Sequence, residues 1–85
     1  MTDNDNDMAP DGFSFGWALD MLKRGRRVSR TGWNGPGQHL NLQVPDAMSK
    51  MSLPYIYICT VGCDLVPWLA SQTDMLSEDW VEVAG

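Results

Sequence analysis

The sequence predicts a small α+β domain in which one N-terminal helix and one short C-terminal helix pack on an antiparallel sheet. Three observations predict this fold class. Apolar residues recur at helical spacing near the N-terminus, apolar and polar residues alternate in three later segments, and a Tyr-Ile-rich hairpin lies between them. With 85 residues, the chain is long enough for one domain and no more.

The first helix is predicted at about residues 14–24. Ser14 is a good N-cap, and Gly25 can end the helix because glycine adopts the backbone conformation that follows a last turn. Phe13 precedes the cap and is expected to pack onto the first turn. The apolar residues at helical spacing are Trp17, Ala18, Met21 and Leu22.

Five strands and a short second helix are predicted after the first helix. The strands cover about residues 26–31, 39–44, 55–59, 64–66 and 80–83. A glycine-rich turn at 32–37 follows the first of them. Pro67 places the fourth strand at an edge or a bulge, because proline has no backbone N–H to donate. Ser71 or Thr73 is expected to cap a helix that runs through Glu78.

The charge distribution predicts two parts in the chain. Residues 1–11 are predicted to be a disordered acidic tail, and residues 12–85 a single α+β domain that binds a ligand. The tail holds four of the eleven acidic residues and no basic residue, so the net charge of −5 falls to −1 for the remainder. A long duplex needs a broad basic surface, which this remainder lacks.

Size and cysteine content predict a protein that associates with itself. A domain this small buries only about 60% of the surface of its unfolded chain, so a single-chain core is marginal. A stable monomer is the alternative. Cys59 and Cys63 form a weak metal pattern and are expected to be free, partly buried thiols. Without a secretory signal or an apolar run of membrane-spanning length, the protein is expected in the cytosol.

A basic cluster indicates a ligand with negative charge. Five of the six basic residues lie within 23–30, directly before the glycine-rich turn. Arginine offers forked donors to phosphate, and the indole of Trp33 offers a stacking surface to a base. Arg26 and Arg30 share a strand face with Val28. The alternative is a solvated basic rim, or ion pairs with Asp74, Glu78 and Asp79.

A second polar segment begins at Trp68. Ser71, Gln72, Thr73 and Asp74 offer hydroxyl, amide and carboxylate groups at a helix N-terminus. Ordinary capping explains a hydroxyl and the carboxylate, but it leaves Gln72 and Trp68 without a role. For Trp33, packing on the core is the alternative to ligand stacking, and Asn34-Gly35 is also a common turn.

Catalysis finds little support in the residues. No Ser-His-Asp or Cys-His set is present around the single histidine, and no phosphate-binding glycine fingerprint occurs. The acids Asp74, Glu78 and Asp79 could pair for acid–base chemistry or hold magnesium, although a solvated helix face is the simpler interpretation. We therefore expect a protein that is not an enzyme and needs no metal or cofactor.

Residues 13–83 resemble a family of short phage and prophage proteins known for Thoeris anti-defence proteins of the second type. The residues that carry the resemblance are Phe13, Ala18-Leu19, Lys23-Arg24-Gly25, Val28-Ser29-Arg30, Gly32-Trp33-Asn34-Gly35, Leu53-Pro54-Tyr55-Ile56, Pro67-Trp68, Ser71-Gln72-Thr73-Asp74-Met75-Leu76 and Glu78-Asp79-Trp80. The sequence departs from the family pattern at Ala70, where a proline is usual, and at Trp17, where a smaller or acidic residue is usual.

The resemblance implies a sponge for a nucleotide signal. Members of the family are homo-oligomers, typically tetramers, that sequester a cyclic ADP-ribose isomer between protomers without cleaving it, and some also bind cyclic oligonucleotides. The implied location is the cytoplasm of the infected bacterial host.

On this basis Phe13, Trp33 and Trp68 are expected to enclose the base, and Arg26 or Arg30 to meet the phosphates. The riboses and the base edge are then expected to contact Asn34, Ser71, Gln72, Thr73 and Asp74. Two other functions stay open: a small binder of single-stranded nucleic acid and a module that inhibits a host protein.

Overall fold

The computed structural model describes residues 8–9 and 12–84, which form seven strands and two helices. The elements are β1 (Met8–Ala9), β2 (Gly12–Phe13), α1 (Phe15–Lys23), β3 (Arg27–Arg30), β4 (His39–Gln43), β5 (Tyr55–Cys59), β6 (Leu65–Pro67), α2 (Gln72–Leu76) and β7 (Trp80–Val83). The strands make one sheet in the order β1-β2-β7-β3-β4-β5-β6, and every neighbouring pair is antiparallel.

Helix α1 is delimited by the residues that the sequence indicated. The Ser14 side chain accepts a hydrogen bond of 3.2 Å from the backbone N–H of Trp17, which satisfies a donor that the helix itself leaves unpaired. Gly25 has a φ of +82°, a conformation that costs glycine little, and its N–H donates to the carbonyl of Leu22. Three residues therefore separate the end of the helix at Lys23 from the start of β3 at Arg27.

The core lies between α1 and one face of the sheet. Helix α1 packs on β7, β3 and β4, the three strands nearest the middle. Cross-strand pairing sets Val28 opposite Leu40 and Leu40 opposite Ile58, so the apolar residues of neighbouring strands share this face. The residues with essentially no exposure are Ala18, Leu22, Val28, Leu40 and Trp80.

The predicted antiparallel α+β fold with two helices is confirmed. The first helix and the placement of β6 at a sheet edge agree with the structure. The second helix ends at Leu76 rather than continuing through Glu78, because Ser77 is extended, with φ −75° and ψ 151°. This extension directs the chain into β7.

The strand pair β1–β2 was not predicted. Each strand has two residues, too few to show any alternation of apolar and polar side chains. It joins the sheet through Phe13, which pairs with Trp80. Residues 1–7 and 10–11 of the predicted acidic tail lie outside the described part of the chain.

Among the described residues, neither helix has the length or the apolar character needed to cross a membrane. Both cysteines are free, with Cys59 half-buried and Cys63 exposed.

Candidate functional site

A polar network occupies the end of the sheet where β3 finishes and β7 begins. Its members come from three segments that are far apart in sequence: the end of β3 and the turn after it, the start of α2, and the residue before β7. We call it the Arg30 cluster, and it consists of Arg30, Trp33, Ser71, Asp74 and Asp79.

Arg30 joins two carboxylates. Its Nε donates to Asp79 Oδ1 at 2.8 Å, and one terminal nitrogen donates to Asp74 Oδ1 at 2.9 Å. The side chains of Arg30, Asp74 and Asp79 are only 15%, 14% and 16% exposed. Ion pairs this sheltered from water are stronger than surface pairs, and removing one partner leaves a charge poorly compensated.

Asp74 is the centre of the network. Its Oδ1 accepts from Arg30 and, at 3.3 Å, from the indole N–H of Trp33. Its Oδ2 accepts from the backbone N–H and the hydroxyl of Ser71, at 3.2 and 2.9 Å, while the Ser71 oxygen accepts from the Asp74 N–H. This capping box fixes the start of α2. The carbonyl of Asp74 also accepts from the indole N–H of Trp80 at 3.0 Å.

The network keeps both carboxylates ionised. Burial favours the neutral form of Asp74, but hydrogen bonds from Arg30, Ser71 and Trp33 outweigh it and lower the pKa. For Asp79, burial is likewise outweighed by bonds from Arg30 and the Gly32 N–H, so its pKa is also lowered. The pKa of Arg30 is raised, chiefly by its hydrogen bond to Asp79.

The turn after β3 is fixed to the same network. Asp79 Oδ2 accepts from the backbone N–H of Gly32 at 2.9 Å, and the Trp33 N–H donates to the Arg30 carbonyl. A Cβ at position 32 would lie 2.8 Å from Asp79 Oδ2, closer than real Cβ contacts come. A side chain at position 32 would therefore push the Asp79 carboxylate away from the Gly32 N–H.

Aromatic rings form the apolar side of the site. Trp80 is fully buried, and Trp33 and Trp68 meet it edge-on with ring centroids 5.4 and 6.1 Å away. Phe15 packs on both Trp68 and Trp80. Trp33 and Trp68 are half-buried, so each combines core packing with a partly accessible ring.

The structure brings together part of the predicted site. Asn34 follows Trp33, and Gln72 and Thr73 form the first turn of α2; all three are exposed. Each is next in sequence to a member of the bonded group Arg30, Trp33, Ser71 and Asp74, and Trp68 contacts that group's neighbour Trp80. For Arg30, the structure shows the alternative that the sequence left open, ion pairing with Asp74 and Asp79.

Two predicted residues lie apart from this group. Arg26 precedes the opposite end of β3, four residues from Arg30, and its side chain pairs with Glu82 at 3.4 Å. Phe13 stacks on Trp17 with centroids 4.2 Å apart and an interplanar angle of 17°. Its predicted packing on the first helical turn is thus confirmed, and Trp17 serves as its partner there.

Asp79 and Trp80 were not predicted as parts of the site. The sequence offered Asp79 as a possible partner of the arginines, but the link from Asp79 to the turn through the Gly32 N–H depends on a contact between residues 47 positions apart. In the sequence, Trp80 is only the first residue of the predicted closing strand 80–83. Its bond to the Asp74 carbonyl is visible only in the folded chain.

Two grooves on the described surface lie away from this network. One of about 480 Å³ is lined by Met51, Ser52, Leu53, Pro54, Tyr55 and Pro67. Another of about 330 Å³ is lined by Gly25, Arg26, Arg27, Glu82, Val83 and Ala84. Neither is lined by Trp33 or Asp74.

Comparison with known proteins agrees with the resemblance seen in the sequence. The family model of the Thoeris anti-defense 2-like domain matches residues 13–83. A protein of Bacillus phage SP01, named Thoeris anti-defense 2, is 39% identical over an 80-residue alignment; the alignment covers 79% of this chain and 90% of that protein. Residues 13–83 include all three segments of the Arg30 cluster.

Proposed function

Since the chain belongs to the Thoeris anti-defense 2-like family, we propose that it counters Thoeris defence by binding and sequestering a cyclic nucleotide signal. The proposed ligand is a cyclic ADP-ribose isomer, and the ligand is released intact. Cyclic oligonucleotides are a second ligand class to be tested. The observation that carries the proposal is the pairing of two half-buried indoles, Trp33 and Trp68, with exposed polar side chains beside them.

This arrangement suits a base and its ribose. An indole that already packs edge-on against Trp80 is held rigidly, so stacking a base on it costs little conformational entropy. Asn34 and Gln72 each supply a donor and an acceptor, and Thr73 supplies a hydroxyl. Such neutral groups recognise the base edge and ribose hydroxyls.

The acids of the site support sequestration rather than cleavage. A general base must take up a proton near neutral pH. Asp74 and Asp79 have pKa values lowered below the ordinary range, and Asp74 accepts hydrogen bonds on both oxygens. They are weak bases, and their place in the network is structural.

Exposed leucines beside the candidate site support a site that is shared between copies of the chain. Leu69 and Leu76 flank the Ser71–Asp74 segment and are 91% and 79% exposed, so an interface there would remove apolar surface from water. A homo-oligomer, with four copies as the proposed state, would cover these residues and place a second chain against the site. The place of action is the cytoplasm of the infected bacterium, where the signal would be met.

The function is tested by recovering the ligand. The protein is mixed with each member of a panel of cyclic ADP-ribose isomers and cyclic oligonucleotides, free ligand is removed, and the protein is then denatured. We expect one cyclic ADP-ribose isomer to be released chemically unchanged, in an amount that Trp33→Ala reduces at least tenfold. Recovery of a cleaved nucleotide would show an enzyme instead, and no retention of any panel member would refute the proposal.

The oligomer is tested on the same sample. Sedimentation of the wild-type chain is expected to show four copies, and Leu69→Asp with Leu76→Asp is expected to shift it to smaller species and weaken ligand retention. A wild-type monomer that still retains the ligand would contradict the shared site.

A further inference from the structure

We infer that Arg30 is a positioning residue, which orients the Trp33 indole and the start of α2 through Asp74 and Asp79, and that it makes no contact with the ligand's phosphates. This inference rests on the proposed function. Phosphate contact is the first expectation for an arginine in a nucleotide site, and positioning is a different role.

Most N–H donors of the Arg30 guanidinium are already engaged. A guanidinium has five N–H groups. Three of them point to carboxylates: Nε to Asp79 at 2.8 Å, one terminal nitrogen to Asp74 at 2.9 Å, and the other to Asp79 at 3.5 Å. The remaining two belong to a side chain that is only 15% exposed. A phosphate would have to displace a carboxylate to bind the fork.

The three charged side chains of the Arg30 cluster sum to a negative charge. Arg30 contributes one positive charge and its two partners contribute two negative charges, which the hydrogen bonds keep ionised. The net charge is therefore −1. A phosphate approaching Arg30 meets two carboxylates within hydrogen-bond distance of the same guanidinium, and their repulsion opposes binding.

Arg30 joins three segments that are far apart in sequence. Arg30 itself ends β3 and leads into the turn of Gly32 and Trp33, whereas Asp74 lies in the first turn of α2 and Asp79 precedes β7. Asp74 Oδ1 accepts from both Arg30 and the Trp33 indole. Moving the guanidinium would therefore move Asp74, whose Oδ1 orients the Trp33 indole and whose Oδ2 bonds the N-cap residue Ser71.

Different residues then contact different parts of the ligand. The Trp33 indole and the neutral side chains of Asn34, Gln72 and Thr73 contact the base and ribose. The cation that meets the phosphates must come from outside the Arg30 cluster. Replacement of Arg30 by lysine should then weaken binding by misplacing neutral contacts, with no change in the net charge of the cluster.

The variants Arg30→Lys and Arg30→Gln separate the two roles. Lysine keeps the charge but lacks the planar fork that bonds two carboxylates at once. We expect both variants to lose at least tenfold in affinity for the cyclic ADP-ribose isomer that wild type retains best, and Arg30→Lys, which keeps the charge, to leave the salt dependence of Kd unchanged. If Arg30→Lys stays within threefold of wild type, the charge alone suffices at this position and the inference is wrong.

A double-mutant cycle adds a second test. In an Asp74→Asn background, Arg30→Lys should cost less than threefold, since the acceptor through which Arg30 acts has already been changed. Equal losses in both backgrounds would overturn the role of Asp74. Arg24→Lys, an exposed residue after α1, is the matched control and should bind as wild type does.

A ligand-free measurement keeps this inference separate from the proposed function. The Trp33 indole N–H signal, assigned in NMR spectra by its loss in Trp33→Phe, should shift in Arg30→Lys and stay in place in Arg24→Lys. An unmoved signal in a folded Arg30→Lys protein would refute positioning. If wild type retains no cyclic nucleotide, the proposed function fails, and this signal alone decides the role of Arg30.

Discussion

Arg26 and Arg30 lie four residues apart in one basic segment, yet their surroundings differ sharply. Arg30 bonds two carboxylates at 2.8 and 2.9 Å, and the three side chains are 14–16% exposed. Arg26 meets only Glu82, at 3.4 Å, and these side chains are 61% and 39% exposed. Since an extended strand rises about 3.3 Å per residue, the two guanidinium groups serve opposite ends of the sheet.

This difference shows that the role of an arginine depends on how far its surroundings exclude water. Water screens the Arg26 pair, so its contribution to stability is small. At Arg30, the turn, α2 and the residue before β7 converge and exclude most of the water, so breaking the pairs leaves charges without compensation. The same residue type is therefore structural at one end of β3 and a solvated rim at the other.

The largest expected effect is the loss of the Arg30 fork. Arg30→Met keeps much of the side-chain volume and removes both ion pairs, leaving two carboxylates without their cation. We expect the free energy of unfolding to fall by about 3 kcal/mol, as measured by urea denaturation. A loss below about 1 kcal/mol would show that the Arg30 pairs are no stronger than surface pairs.

The pH dependence of the free energy of unfolding tests the same contrast. The folded-state pKa values of Asp74 and Asp79 are lowered, so their contribution is fully present above the unfolded-state pKa of about 3.9 and is lost as pH falls through the folded values. Urea unfolding curves should change little from pH 7 to 5 and lose stability below about pH 4. The loss should be smaller in Arg30→Met; equal losses would contradict the linkage.

The capping box predicts a smaller effect. Ser71→Ala removes the acceptor of the Asp74 N–H and a donor to Asp74 Oδ2, so we expect unfolding to become easier by about 1 kcal/mol. Thermal unfolding followed by circular dichroism measures this change. Ser52→Ala, at an exposed serine in the connector before β5, is the control and should leave the midpoint unchanged.

The smallest effect is expected at the other end of β3. Arg26→Ala should alter the free energy of unfolding by less than about 0.5 kcal/mol, and added salt should remove even that difference. Urea denaturation at low and high ionic strength measures it. A loss close to that of Arg30→Met would erase the contrast between the two arginines.

Much of the fold could be predicted because its signals are local. Ser14 and Gly25 delimit α1 by their own chemistry, and Val28 lies buried where alternation placed it. The two-residue strands β1 and β2 carry no such signal. They exist because Phe13 pairs with Trp80, a contact across most of the chain.

The site was predictable only in part for the same reason. Ser71 and Asp74 are close in sequence, so their capping chemistry could be anticipated. The partners of Arg30 could be named as alternatives but not chosen, because the choice depends on how β7 and α2 meet the end of β3. The contact of Gly32 with Asp79 follows from that meeting alone.

The tryptophan cluster has an optical consequence. Two indoles stand nearly perpendicular to Trp80, with interplanar angles of 78° and 85° and centroids 5.4 and 6.1 Å away. Chromophores this close exchange excitation energy, so light absorbed by one tryptophan can be emitted by another. The molecule thus carries a built-in probe that needs no dye: a ring stacked on Trp33 or Trp68 would alter the emission of the whole cluster.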